Sequence, residues 1–296
     1  MAYYSGQDLR ETSEADWKAA AVAQMRRRQK PIWQLWGLAK AIQDIDADIL
    51  MLVEVGGEES LQLFNHHFLN DRYIPHFLAG NARRGIDLGY LVRRGLPFRA
   101  EAKSNRDLEV EVSTWTGKVT SRFSRDVAEL RLAQEGSLRL ILLLTHLKSK
   151  ITSDGDFQGK DVRTAEAMAL AHLYSRRREE FPSVPIIVGG DFNAELGSLE
   201  LEPLNWTDLT DLHDLLGTLP DDRVSLVHFD FAGRAHFNVL DYLLLSPQLK
   251  QRVVPQCSGV YRYKGFYDLP EALPTTRKER FQMPSDHYPV VATVRI

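Results

Sequence analysis

Asp191 and Asn193 stand two residues apart in "VGGDFNAE", directly after the apolar run "VPIIV". A carboxylate and an amide so spaced can orient or deprotonate a water and hold a polar ligand. The carboxyl end of a strand is where α/β proteins place such groups. Other apolar runs carry similar residues. Glu54 closes "DILMLVEV", His146 and Lys148 follow "LRLILLLT", Asp241 lies inside "NVLDYLLLS", and Asp286 and His287 precede "YPVVATVRI". Taken singly, Glu54 reads as a helix cap, Asp191 as a turn residue and His287 as a core histidine. Asp241 resists that treatment, because an unpaired carboxylate within an apolar strand costs several kcal/mol.

Taken together, the carboxylates, the amide and the histidines suit a hard cation and a phosphate. Mg²⁺ (or Mn²⁺) takes oxygen ligands and uses one or two protein carboxylates, with water for the rest. Hydrolysis of a phosphate ester then needs a base or orienting carboxylate for the attacking water. It also needs donors for the non-bridging oxygens.

The rest of the chain must position these groups. Its 296 residues, 44% hydrophobic, suffice for one large domain with a sizeable core. A single cysteine, Cys257, excludes an internal disulfide framework and points to a reducing, cytoplasmic compartment. No run approaches the roughly 20 apolar residues of a membrane span. The polar opening "MAYYSGQDLRETSEADWKAA" is no secretory signal. The net charge of −3 gives no global pull toward nucleic acid, which leaves local basic faces as the means of binding it.

Residues 17–46 read as helix, with Pro31 at a first helical position of its latter part, followed by a buried strand over 48–55. "EESLQLFNHHFL" reads as a helix, "IDLGYLV" as a strand, and "LEVEVSTW" and "DVAELRLA" as half-exposed antiparallel strands. A helix over 161–180 separates "LRLILLLTHLKSK" from "VPIIVGGDFN", and "VSLVHF", "NVLDYLLLS" and "YPVVATVRI" complete the strands. The stretch 257–287 is long for a structureless loop, which marks it as functional or mobile. "SDGDFQGKD" lacks the closing glutamate of a calcium loop, and adjacent His66 and His67 point different ways on a helix. Tyr261, Tyr263, Phe266 and Tyr267 either stack bases or cover core.

"GDFNA", "LDYLLLS" and "PSDHYPVVATV", in this order after "DADILMLVEV" and "THLKSK", resemble the endonuclease/exonuclease/phosphatase superfamily. The nearer likeness is to bacterial members with segments such as "RRGIDLGYLVRRGLPF" and "THLKSK". The resemblance covers nearly the whole chain. It implies one α/β domain over 1–296, a four-layer sandwich of two mixed β-sheets packed face to face with helices outside. It implies metal binding by Glu54 and Asp286, with Asp191 on the attacking water and Asn193 holding that water and the phosphate. His287 is then on the scissile phosphate and oriented by Asp241, with His146, Lys148 and Arg163 as phosphate contacts. Members also open with a strand bearing an asparagine, before anything like "MAYYSGQDL", so a natural start upstream of Met1 is expected.

The expected activity is metal-dependent hydrolysis of a phosphate ester, most simply a phosphodiester in DNA or RNA, by direct attack of water. No protein partner is required. Alternatives are a lipid or small-molecule phosphoesterase (sphingomyelinase-like or on a phosphosugar), and a binding module with a relic pocket.

Overall fold

The run "LRLILLLT" is apolar at almost every position because the strand containing it is buried on both faces. Leu140, Leu142 and Leu144 pack into one core cluster, Ile141 and Leu143 into another. Continuous apolar strands of this kind belong inside layered α/β folds. The structure, a computed structural model, describes residues 30–82, 85–114, 117–150, 156–265 and 268–296.

Within them the chain runs α1 (Ile32–Ile45), β1 (Ile49–Val55), α2 (Glu58–Leu69), β2 (Tyr73–Leu78), β3 (Asp87–Arg93), β4 (Arg99–Ser104), β5 (Glu109–Thr114) and β6 (Gly117–Arg122). Next come β7 (Val127–Gln134), β8 (Ser137–His146), α3 (Lys160–Glu180), β9 (Ile186–Asp191), α4 (Glu202–Asn205), β10 (Thr210–Asp211) and α5 (Leu212–Leu216). The chain closes with β11 (Leu226–Phe229), β12 (Ala235–Asn238), β13 (Asp241–Leu245), β14 (Gly259–Val260), α6 (Arg277–Gln282) and β15 (Val290–Val291).

A mixed six-stranded sheet has the order β10-β13-β9-β8-β7-β4, and a three-stranded sheet the order β1-β3-β2. Leu88, Tyr90 and Val92 of β3 meet Leu130, Leu142 and Ile187 of the larger sheet in the core between the two. On the far side of the larger sheet, Ile141 and Val188 pack on Ala167, Leu170 and Tyr174 of α3. Over the smaller sheet, Ala39 of α1 and Leu61 and Leu69 of α2 cover Tyr73 and Leu91. The four layers expected from the sequence are all present, with the smaller sheet antiparallel rather than mixed among the described residues. Between the sheets lies a cleft of about 610 Å³, lined by Ile49–Val53 of β1, by 289–294, and by Asp191, Asp241 and His287. No helix among the described residues is long and apolar enough to cross a membrane.

The two glycines before Asp191 follow from close packing. A Cβ on Gly190, whose φ is +136°, would sit 1.8 Å from the Thr145 carbonyl oxygen of the parallel neighbour β8. Gly190→Ala is therefore expected to lose about 3 kcal/mol or more from combined backbone strain and overlap. An unchanged denaturation midpoint would contradict this.

Several elements depart from the sequence reading. β2 was not expected, since Pro75 interrupts it, and it lies at an outer edge of the three-stranded sheet where proline is tolerated. β7 is buried rather than half-exposed. Its Glu129 is fully buried and held by Arg131 at 2.6 Å and Arg177 at 2.9 Å. The 257–287 stretch is not structureless: it carries β14 and α6, with a capping box between Thr276 and Glu279 at the start of α6. Pro31 is the cap of α1 rather than its first residue, and the part of the expected helix over 17–29 lies outside the described residues. So do Phe266 and Tyr267. Tyr263 is buried in the core, and the Tyr261 hydroxyl donates to Asp44. In "SDGDFQGKD", 153–155 fall outside the described residues, while the Asp156 carboxylate accepts the Asp161 and Val162 amides at the start of α3.

Candidate active site

Strand register brings three polar residues side by side. β8 runs parallel to β9 with His146 opposite Asp191, and β13 runs antiparallel to β9 with Asp241 opposite Asp191. Faces alternate along a strand. His146 and Asp241 therefore share the face of Leu144 and Leu243, which pack into the core between the sheets.

Asp191 is the centre of the row and is buried. Its Oδ1 accepts the Asn193 backbone N–H at 2.8 Å. Its Oδ2 lies 3.2 Å from the Asn193 side-chain amide and 3.3 Å from His146 Nε2. Asn193 takes a left-handed backbone, φ 52°, and its amide also donates to the Leu147 carbonyl at 3.0 Å. Asparagine tolerates that conformation better than most residues. Burial, and then repulsion from Asp241, push the Asp191 carboxyl up to about 7, against the opposing pull of His287 and the Asn193 N–H.

Asp241 is partnered by His287, whose Nδ1 lies 2.7 Å from Asp241 Oδ2. The Ser225 hydroxyl accepts the backbone N–H groups of Leu240 and Asp241, each at 3.0 Å, and fixes the start of β13. The His287 carbonyl accepts the Tyr263 hydroxyl at 2.8 Å. Burial alone would lower the His287 pKa. The hydrogen bond and charge of Asp241, with Asp191 and Asp286, outweigh it and raise the imidazole to about 10. His287 is thus an imidazolium at neutral pH, with Nε2 left over once Nδ1 is engaged.

Glu54 occupies a left-handed backbone, φ 58°, at the irregularity where pairing of β1 with β3 jumps from Leu52 to Val55. Such a conformation costs a non-glycine residue about 1–2 kcal/mol. Its carboxylate makes no hydrogen bond to any other described residue, and its charge reaches Asp191. Asp286 pairs with Arg280 Nη2 at 2.6 Å. Burial would raise its pKa, but Arg280, His287 and Lys30 hold it below the usual carboxylate range. Among the described residues no three His, Cys, Asp or Glu side chains are grouped closely enough to cage a metal. The donor set suits a hard, largely hydrated cation: a carboxylate that no other described residue hydrogen-bonds, on strained backbone, and a second, Asp286, whose charge acts on Lys30 as that of Glu54 does.

Arg280 and Lys30 are not among the site residues expected from the sequence. Arg280 lies on α6, whose "TTRKE" capping-box pattern was the available signal. The Lys30 ammonium donates to the Pro284 carbonyl at 3.3 Å, close enough to act on Asp286.

Arg163 is not among the gathered residues. Its side chain is fully buried, and its guanidinium donates to the carbonyls of Lys148 at 2.8 Å and Gln158 at 3.2 Å, and to Glu200 at 3.0 Å. The phosphate contact implied by the resemblance gives way to a strut that holds the segment after β8. Lys148 itself is half-buried beside it, its N–H donating to Glu166 at 2.7 Å. Arg163→Met leaves two carbonyls without their donor and is expected to destabilise the fold by about 2 kcal/mol. An unchanged melting temperature together with a raised KM would instead make Arg163 a substrate contact.

The chain matches the model of the Endonuclease/Exonuclease/phosphatase family over residues 33–287. Comparison with curated protein sequences returns no match. Among solved structures, TDP2 from C. elegans is similar with a TM-score of 0.59 at 18% identity, covering 86% of this chain and 67% of that one. The human nocturnin catalytic domain with bound sulfate is similar with a TM-score of 0.55 at 17% identity, covering 87% and 84%. D. rerio TDP2 complexed with a single-strand DNA product is similar with a TM-score of 0.53 at 14% identity, covering 86% and 88%. At these identities the likeness is one of fold. The extent of the family match, on a four-layer sandwich with His146, Asp191 and Asp241 aligned at one rim, decides the assignment: the chain belongs to the endonuclease/exonuclease/phosphatase family of phosphate-ester hydrolases.

Proposed function

We propose that this protein is a divalent-metal-dependent phosphodiesterase that cleaves its substrate by direct attack of water. The observation that carries the reading is the position of Asp191. It stands in register between His146 and Asp241, and Asp241 in turn holds His287.

Asp191, its carboxyl raised toward neutrality, is suited to take a proton from water as the water oxygen bonds to phosphorus. The Asn193 N–H and His146 Nε2 hold that carboxylate in place, so His146 acts through Asp191. The imidazolium of His287 donates toward the non-bridging oxygens, where negative charge grows in the transition state. As the bond to the ester oxygen breaks, the leaving group departs and takes its proton from solvent. Mg²⁺ or Mn²⁺ held by Glu54 with Asp286 supplies charge neutralisation on the phosphate when bound. A diester rather than a monoester is supported by the D. rerio TDP2 structure, which holds a single-strand DNA product.

The test is release of p-nitrophenolate from bis-(p-nitrophenyl) phosphate with Mg²⁺ or Mn²⁺, run beside the monoester, DNA, RNA, sphingomyelin and phosphosugars. Turnover of the diester, abolished by chelation and restored by added metal, is the expected result. Turnover of the monoester alone would replace the diesterase by a phosphatase. Turnover of none of them would leave a binding module.

A further inference from the structure

A hairpin grows out of the site. The Val227 N–H donates to the Asp286 carbonyl at 3.1 Å, the Tyr288 N–H donates to the Ser225 carbonyl at 2.7 Å, and Leu226 bridges to His287. β11 leaves this anchor and β12 returns antiparallel to it, with His228 opposite His236 and Leu226 opposite Asn238. His228 stands two residues beyond Leu226, about 7 Å along the strand. Both histidines are exposed, and their rings are stacked with centroids 5.0 Å apart and planes 16° apart.

Residues two apart share a face, so Asn238 and His236 look the same way as His228. The direction of that face is set by one contact and one neighbouring charge. The Asn238 amide donates to Glu195 Oε1 at 3.4 Å, two residues past Asn193. Lys150, exposed on the segment after β8, is close enough for its charge to act on His228. The histidine pair therefore borders the space between the segments that follow β8 and β9, which is the exit from Asn193 and His287.

Two exposed imidazoles and a lysine converging in this way repel one another when charged. Partial desolvation of a mostly exposed ring, and then the charges of His236 and Lys150, hold His228 below the ordinary histidine value. Asp230, 3.3 Å from His236 Nε2, offsets part of this on the hairpin's outer side, and Glu195 lies at the Asn193 side. An anion between the pair and Lys150 would relieve the repulsion. The stacked rings also offer a flat face of the kind that takes a nucleobase.

We infer that His228, His236 and Lys150 form a subsite for the phosphate next to the scissile one, so that the substrate is a nucleic-acid strand rather than a small diester. This rests on the proposed phosphodiesterase reading.

The test compares wild type, H228A/H236A and K150A in two measurements. The first is kcat/KM on a fluorescent oligo(dT) 12-mer and an oligo(U) 12-mer against bis-(p-nitrophenyl) phosphate. The second is binding of the same oligonucleotides in EDTA, by anisotropy, over a salt series. The ratio of oligonucleotide to small-diester kcat/KM is expected to fall about tenfold in each variant, and the salt slope of binding by about one in K150A. The oligomer that shows the fall identifies DNA or RNA as the strand. An unchanged ratio with active wild type would overturn the subsite while leaving the diesterase standing. Wild type inactive on every substrate would remove the diesterase reading. The binding series then decides the subsite, upheld by weaker binding in the variants and overturned by equal binding.

Discussion

Asp191→Asn is expected to lower kcat on a diester by about 10³-fold, the scale on which a positioned base acts. The substitution keeps the side chain's shape and its contact with His146, so the loss falls on proton transfer rather than on packing. Stability should move the other way. The Asp191 carboxyl is raised by burial and by Asp241, so the folded state binds more protons than the unfolded one between the ordinary carboxylate value of 3.8 and about 7. Wild-type stability therefore falls as pH rises through that window, and the asparagine variant escapes the fall. Its melting temperature should equal or exceed wild type's at neutral pH, with the gap closing in acid. Retained activity, or a variant less stable at neutral pH than in acid relative to wild type, would contradict the assignment.

His287→Ala is expected to cost about 10²–10³ in kcat, the range for removing a preorganised donor to transition-state charge. Here the pH dependence is informative. With the imidazole raised to about 10, the charged donor persists through neutrality, and the rate should fall on an alkaline limb near that value. The acid limb belongs to Asp191 and lies above the usual carboxylate range. Asp241→Asn removes the largest influence holding the proton on His287 and should move the alkaline limb down, whereas a residue that only packs would leave the limb in place. For stability, a raised histidine contributes fully below its ordinary 6.5 and loses that contribution as pH rises through about 10. The charge-dependent part of the destabilisation by His287→Ala should therefore be greatest below 6.5 and disappear as pH rises through about 10, leaving the loss of packing.

The layer order was legible because β8 is apolar on both faces, and a strand with no polar side has to be covered twice. The candidate residues were legible because each interrupts or ends an apolar run, where a polar side chain is costly without a partner. Their partners were not. That His146, Asp191 and Asp241 share one line depends on register between β8, β9 and β13, which no local pattern encodes. Arg280 meets Asp286 through the placement of α6, and the sequence read that whole region as loop. Arg163 shows the opposite error. An arginine near a suspected phosphate site looks like a ligand, yet this one is enclosed and satisfied by two carbonyls and Glu200. Glu129 misled in the same way, since alternation in "DVAELRLA" suggests a wet face where the structure has two arginines closing over a buried carboxylate.

The most direct test of whether these groups form one machine on one phosphate is a double-mutant cycle. The measurement is metal-supported kcat on bis-(p-nitrophenyl) phosphate for wild type, Asp191→Asn, His287→Ala and the pair. Groups that act as a unit in the same transition state are expected to give a double variant scarcely slower than the worse single one. Losses that multiply, or single variants indistinguishable from wild type, would mean that Asp191 and His287 do not act together on the reacting phosphate.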